Sequence, residues 1–160
     1  NPEIPLFLAQ LEFSRGKAEA ARPLIRESLA LKEDYADAYV MLAQIEIQEN
    51  NINAAITSAE RVALLIPNNP AVYFELGLLK YSNGDYIGAA NAFTLALTSI
   101  PDYANAKYYL GLSLAQLGRL DEALAEFEAL LLTNPDSEEV QLILEALRAG
   151  SDSFLGGPRR

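Results

Sequence analysis

The chain has 160 residues, is 51% hydrophobic and carries a formal net charge of −10. That hydrophobic content argues against disorder, and the acidic balance argues against nucleic acid, whose phosphates need clustered Lys and Arg. Cys and His are both absent, which excludes disulfides, the usual zinc sites and the usual catalytic triads.

In chain order, Asn1-Pro2-Glu3 reads as cap, first turn and an acid that complements the helix dipole. A helix to about Ser14 and a second from about Lys17 to Leu31 follow, the second containing Pro23, which removes one backbone bond near the helix start. Helices are next expected near 37–49 and 52–66. The stretch from Ala71 to Pro101 shows two amphipathic helices joined at Asn83-Gly84-Asp85. Its apolar stripe runs through Val72, Leu76 and Leu79, then through Ile87, Ala90 and Leu97. Asn69 is placed to cap the first of these helices, with Pro70 in its first turn. A further pair is expected near 104–117 and 120–133. A last helix over 138–149 carries Val140, Ile143, Leu144 and Leu147 on one face, and Asp136 to Glu139 reads as a capping-box variant. Residues 150–160, SDSFLGGPRR after Gly150, have no periodicity and are expected to form a disordered tail.

The helix pairs repeat. Pro67, Pro101 and Pro135 are 34 residues apart, and that register aligns the rest. Leu8, Leu42, Leu76 and Leu110 share a column, as do Ala21, Ala55, Ala89 and Ala123. Gly16, Gly84 and Gly118 share one with Asn50, the next-best residue for a positive φ. Ala9, Ala43, Gly77 and Gly111 form a small column, while Tyr39 matches Tyr73 and Phe93 matches Phe127. With this period and these offsets, the chain resembles the tetratricopeptide repeat family. The expected repeats are residues 2–35, 36–69, 70–103 and 104–137. The first is the most degenerate, with Pro5 in the aromatic column and Glu33 in the proline column.

The resemblance implies an all-α fold, a right-handed α-solenoid of antiparallel helix pairs over residues 1–149, closed by the capping helix. It also implies that the first helix of each pair lines a concave, ligand-binding face. The corresponding residues here are Glu3, Leu6, Gln10, Phe13 and Ser14 in repeat one, and Asp37, Val40, Gln44, Ile47 and Gln48 in repeat two. Repeat three contributes Ala71, Phe74, Leu78, Tyr81 and Ser82; repeat four contributes Asn105, Tyr108, Leu112, Ala115 and Gln116. None is Lys or Arg. Family members that clamp the C-terminal carboxylate of chaperone tails use such cations, so that use is not expected. An apolar or amphipathic segment is, with Phe74, Tyr81 and Tyr108 as one aromatic patch and Gln or Asn side chains meeting its backbone.

Eight acids lie between Leu120 and Leu147 with no Lys or Arg among them, a solvated face or a docking site for a basic segment. Their spacing does not match a calcium loop. No catalytic constellation, glycine-rich phosphate loop or cofactor motif is present, and no run of about 18 apolar residues would span a membrane. The expected function is a non-catalytic protein- or peptide-binding scaffold. Two alternatives remain open: a self-assembling scaffold with weak homo-oligomerisation through Ile4, Phe7, Leu8 and Leu11, or a regulatory or positioning module of a larger, membrane-anchored bacterial protein. The first residue is Asn, so the chain is expected to be a processed form or an excised piece.

Overall fold

The computed structural model describes residues 1–150; the expected tail beyond Gly150 lies outside them. The described residues form helices without strands: α1 (Glu3–Ser14), α2 (Ala18–Leu31), α3 (Ala36–Gln48), α4 (Ile52–Leu65), α5 (Pro70–Ser82), α6 (Tyr86–Ser99), α7 (Ala104–Gln116), α8 (Leu120–Thr133) and α9 (Glu138–Arg148). Each pair, α1–α2 through α7–α8, is in close contact. The second helix of each pair meets the first helix of the next, and α9 closes on α8. Contacts are thus almost entirely between neighbours, as in a helical solenoid.

Local signals account for the boundaries. Within each pair the turn is made by a residue of positive φ: Gly16 (76°), Asn50 (58°), Gly84 (80°) and Gly118 (75°). This is the conformation that ends a helix and that β-carbons resist. At α5 the Asn69 side-chain oxygen accepts from the N–H groups of Ala71 (3.0 Å) and Val72 (3.4 Å), with Pro70 as first helical residue. Asn1 accepts from the Glu3 N–H at 3.0 Å. The helix α2 continues through Pro23. At α9 the cap is Ser137, whose hydroxyl accepts from the Val140 N–H. This corrects the expected Asp136–Glu139 pairing by one residue: Val140 occupies the third position, so Glu139 is left to act elsewhere.

The core falls into two clusters. Leu6, Ala9, Ala21, Ile25, Ala38, Met41 and Ile45 form the N-terminal one. The C-terminal one runs from Ala89 and Phe93 through Leu110 and Phe127 to Val140, Ile143, Leu144 and Leu147. The small column serves the second cluster directly. A Cβ on Gly77 would lie 2.5 Å from the Phe93 ring, and one on Gly111 would lie 2.8 Å from that of Phe127. Both rings are fully buried.

In the Leu and Ala columns of the repeat, Leu76, Leu110, Ala21, Ala55, Ala89 and Ala123 are buried. Leu42 is only half-buried, because α2 and α3 make the slightest contact between successive pairs. Leu8, in the same column, is 43% exposed, since no described helix covers that side of α1. Ile87, assigned to the apolar stripe, sits in the first turn of α6 and is 64% exposed.

Candidate functional site

The first helices α1, α3, α5 and α7 supply the candidate binding face. Its polar members divide into free and engaged groups. Gln10, Gln44, Gln48 and Asn105 are exposed. Gln116 is half-buried and shares a hydrogen bond with the Tyr81 hydroxyl.

The apolar members divide the same way. Ile47 is 45% exposed, while Phe13, Val40, Leu78 and Leu112 are half-buried. Leu6 was expected to face a ligand. It is 4% exposed and belongs to the N-terminal core cluster, seated with Ile25 and Ile45, so it supports the face from beneath. Ala115 is likewise buried.

Phe74, Tyr81 and Tyr108 are half-buried and joined by a ring that sequence reasoning overlooked. Tyr109 contacts Phe74 at a centroid separation of 6.0 Å, Tyr81 at 5.8 Å, Tyr108 at 5.4 Å and Phe93 at 5.7 Å. Phe74 also meets Tyr103 and Phe93, and Tyr108 meets Phe127. The three rings therefore pack largely against the C-terminal core. Nothing in the repeat register marks Tyr109, because its equivalents are Phe7, Met41 and Glu75.

Tyr108 is tied further. Its hydroxyl donates to Glu139 of α9 at 2.5 Å. Burial first, then that hydrogen bond and the carboxylate's charge, push its ionisation well above the ordinary tyrosine range. Tyr81 is pushed up as well, mainly by burial. Both stay neutral at physiological pH.

Two adjoining recesses occupy the N-terminal half of the face. One, of about 340 Å³, lies between α1 and α3 and includes Glu3, Leu6, Gln10, Asp37, Val40 and Gln44. The other, of about 230 Å³, lies between α3, α4 and α5 and is lined by Val40, Ala43, Gln44, Ile47, Ala59, Val62, Val72, Glu75, Leu78 and Leu79. They share Val40 and Gln44, so together they form one trough across three first helices. Ala59, Val62, Glu75 and Leu79 were not anticipated as lining residues. The available signal was Ala59, which stands in the column of Phe93 and Phe127. A third recess of about 420 Å³ lies between α7 and α9 around Asn105, Tyr108 and Glu139.

The acidic C-terminal stretch is partly neutralised by cations just outside it. Arg119 pairs with Glu122 at 2.6 Å and Arg148 with Glu128 at 2.8 Å. Among the described residues no group of acids is arranged to hold a metal ion, and no helix is long and apolar enough to cross a membrane.

Similarity to known proteins agrees with this architecture. The transcriptional regulator HilA of Salmonella typhimurium is 32% identical over 102 residues, which is 62% of this chain and 18% of the regulator's length; the HilA of Salmonella typhi matches equally. Among solved structures, YrrB, described as a TPR protein with an unusual peptide-binding site, has a TM-score of 0.78 at 20% identity, covering 95% of this chain and 79% of its own. MamA has a TM-score of 0.81 at 19% identity, covering 96% and 83%. At those identities the likeness is one of fold. The family model for the tetratricopeptide repeat matches residues 12–76 and 80–147. The chain belongs to the tetratricopeptide repeat family.

Proposed function

We propose that the chain is a non-catalytic protein–protein interaction scaffold that holds an apolar or amphipathic peptide or helix along the face of its first helices. The carrying observation is the trough across α1, α3 and α5, whose two recesses share Val40 and Gln44. The recess between α3, α4 and α5 is mainly apolar, which favours burial of partner side chains, while the one between α1 and α3 is more polar. Gln10 and Gln44, which line the trough, and Gln48, exposed one turn beyond Gln44 on α3, offer both donors and acceptors to a peptide backbone. Phe74, Tyr81 and Tyr108 line neither recess, and this reading gives their rings a supporting role in the C-terminal core rather than direct partner contact.

Peptides selected by the purified chain from a random-sequence display library provide the test. Calorimetric titration into wild type and Gln44→Ala/Gln48→Ala is expected to show a loss of about 1–3 kcal/mol, the net worth of two backbone hydrogen bonds. Both side chains are exposed, so melting should not change. Peptides that bind both proteins alike would place the site off this face.

A second reading, a self-assembling scaffold, draws on the exposed Ile4 (62%), Phe7 (65%), Leu8 (43%) and Leu11 (39%) of α1. Sedimentation across a concentration series decides it: a monomer at millimolar concentration refutes self-assembly.

A further inference from the structure

Repeat two departs from the register at a core position, and the departure opens onto the trough. Phe93 and Phe127 occupy equivalent positions in repeats three and four, and Ile25 does so in repeat one. All three side chains are fully buried. In repeat two the position holds Ala59, which is half-buried. Opposite Phe93 and Phe127 stand Gly77 and Gly111, so close that neither tolerates a Cβ. Opposite Ala59 stands Ala43. One methyl on each side takes the place of a phenyl ring against a glycine. The space left over is the pocket of about 230 Å³ floored by Ala43, Ala59, Val62 and Leu79. It lies between the two core clusters, neither of which includes any of these four residues.

The pocket's size and lining define what fits. An apolar cavity of about 150 Å³ is enough to hold benzene, so this one accepts a phenyl ring and its methylene. Among its lining side chains only Gln44 and Glu75 are polar, and both are exposed. A tyrosine hydroxyl pushed to the floor would meet only apolar groups and lose its hydration. Glu75 forms no ion pair among the described residues; Lys80, on the same helix, is held by Glu60 at 2.8 Å. Glu3 and Asp37 add two further negative charges to the trough, and no Lys or Arg lines either recess.

We propose that this pocket is a specificity subsite for one phenylalanine side chain of a partner peptide that carries Lys or Arg beside it. The ring fills the place of the one repeat two lacks, and the cation meets Glu75. The proposal rests on the reading of the first-helix face as a peptide groove.

The probe is 2-phenylethylammonium, followed through the methyl NMR signals of Ala59, Val62 and Leu79. Saturable shifts are expected in wild type at millimolar probe. Tyramine, which adds only a ring hydroxyl, should bind roughly tenfold more weakly. Glu75→Gln should weaken 2-phenylethylammonium about two- to five-fold and leave toluene unaffected. Ala43→Gly/Ala59→Phe rebuilds the glycine–ring pair of the later repeats and should abolish the shifts. Should that double variant fold poorly, the surface change Glu75→Gln and the tyramine comparison still decide the matter. Absence of saturable shifts in wild type, or equal binding of tyramine, overturns the proposal.

The display-selected peptides separate this failure from failure of the groove. Selected peptides should be rich in Phe next to Lys or Arg and lose at least about thirty-fold in affinity for the filled variant. Peptides that depend on Gln44 and Gln48 yet bind the filled variant as tightly as wild type would leave the groove standing and overturn the subsite. Probe binding that follows this pattern while no peptide depends on Gln44 and Gln48 would overturn the groove reading instead, and with it the peptide as the ring's source.

Discussion

Between α5 and α8 the space inside the repeats is filled by rings; between α1 and α4 it is filled by aliphatic side chains and small polar contacts. Every ring–ring contact among the described residues lies between Phe74 and Phe127. The N-terminal half relies on Ile25 and Ile45, and on the Ser58 hydroxyl donating to the buried Glu46 carboxylate at 2.7 Å. An Arg22–Glu49 ion pair bridges α2 and the end of α3. Rings fill a wide gap between helices with few rotatable bonds, and glycine lets them sit against backbone. Where the ring is missing, as at Ala59, the same helix geometry leaves a pocket. A repeat array can therefore open a pocket by omitting one core side chain, without changing its backbone plan.

The sharpest way to break this contrast is to remove a ring from the filled half. Phe93→Ala should destabilise the protein by about 3–5 kcal/mol, because the fully buried ring is backed by Gly77 and nothing nearby can grow into the void. Denaturant unfolding measures it. A loss below about 1 kcal/mol would mean that the C-terminal core tolerates a void as repeat two does.

The 34-residue register made the helix bounds and the positive-φ turns legible, because Gly16, Asn50, Gly84 and Gly118 repeat one local backbone requirement four times. Partners across helices were less legible. The Gly77 and Phe93 columns are both visible in the sequence, yet their contact depends on how the two helices of a pair face each other. The groove was read from helix faces alone, which cannot show that Leu6 is covered or that Tyr108 is bonded to a helix two elements later. Tyr109 has no aromatic equivalent in repeats two and three, so no column announced it.

The two ends extend the comparison. At the C-terminal end α9 lays Leu144, 2% exposed, against α8; at the N-terminal end Phe7 is 65% exposed. Leu144→Asp should cost about 2–4 kcal/mol, since it presses a carboxylate into an apolar interface. Phe7→Asp should stay within about 0.5 kcal/mol. Equal losses would show that α1 is covered in solution, which sedimentation would then trace to self-association.

The ring-filled half also carries a pH signature. Tyr108 and Tyr81 keep their protons more tightly folded than unfolded. An unfolded tyrosine ionises near about pH 10. Their contribution to stability is therefore fully present below that value and is lost as pH rises above it, because the unfolded chain then binds fewer protons. Melting temperature should fall above about pH 10, and Tyr81→Phe/Tyr108→Phe should fall less steeply. Identical slopes would mean that the two hydroxyls are freely hydrated.

The smallest effect compares the positive-φ position in the turns of the two middle repeats, Asn in one and Gly in the other. Asn50 and Gly84 end α3 and α5 with φ of 58° and 80°. Their backbones bond alike: Asn50 N–H to the Ile47 carbonyl and Gly84 N–H to that of Tyr81, both at 3.0 Å. A Cβ added at Gly84 would meet nothing within 4 Å. Gly84→Ala thus isolates backbone strain from steric contact and should cost about 1–2 kcal/mol. Asn50→Gly relieves that strain but loosens the unfolded chain, and the two terms oppose, so its net effect should stay within about 0.5 kcal/mol. Chemical denaturation resolves both, provided the slope is unchanged while the midpoint moves. If Gly84→Ala were free of cost, the turn would be adapting to the side chain, and the shared column of Gly16, Asn50, Gly84 and Gly118 would need another cause than φ.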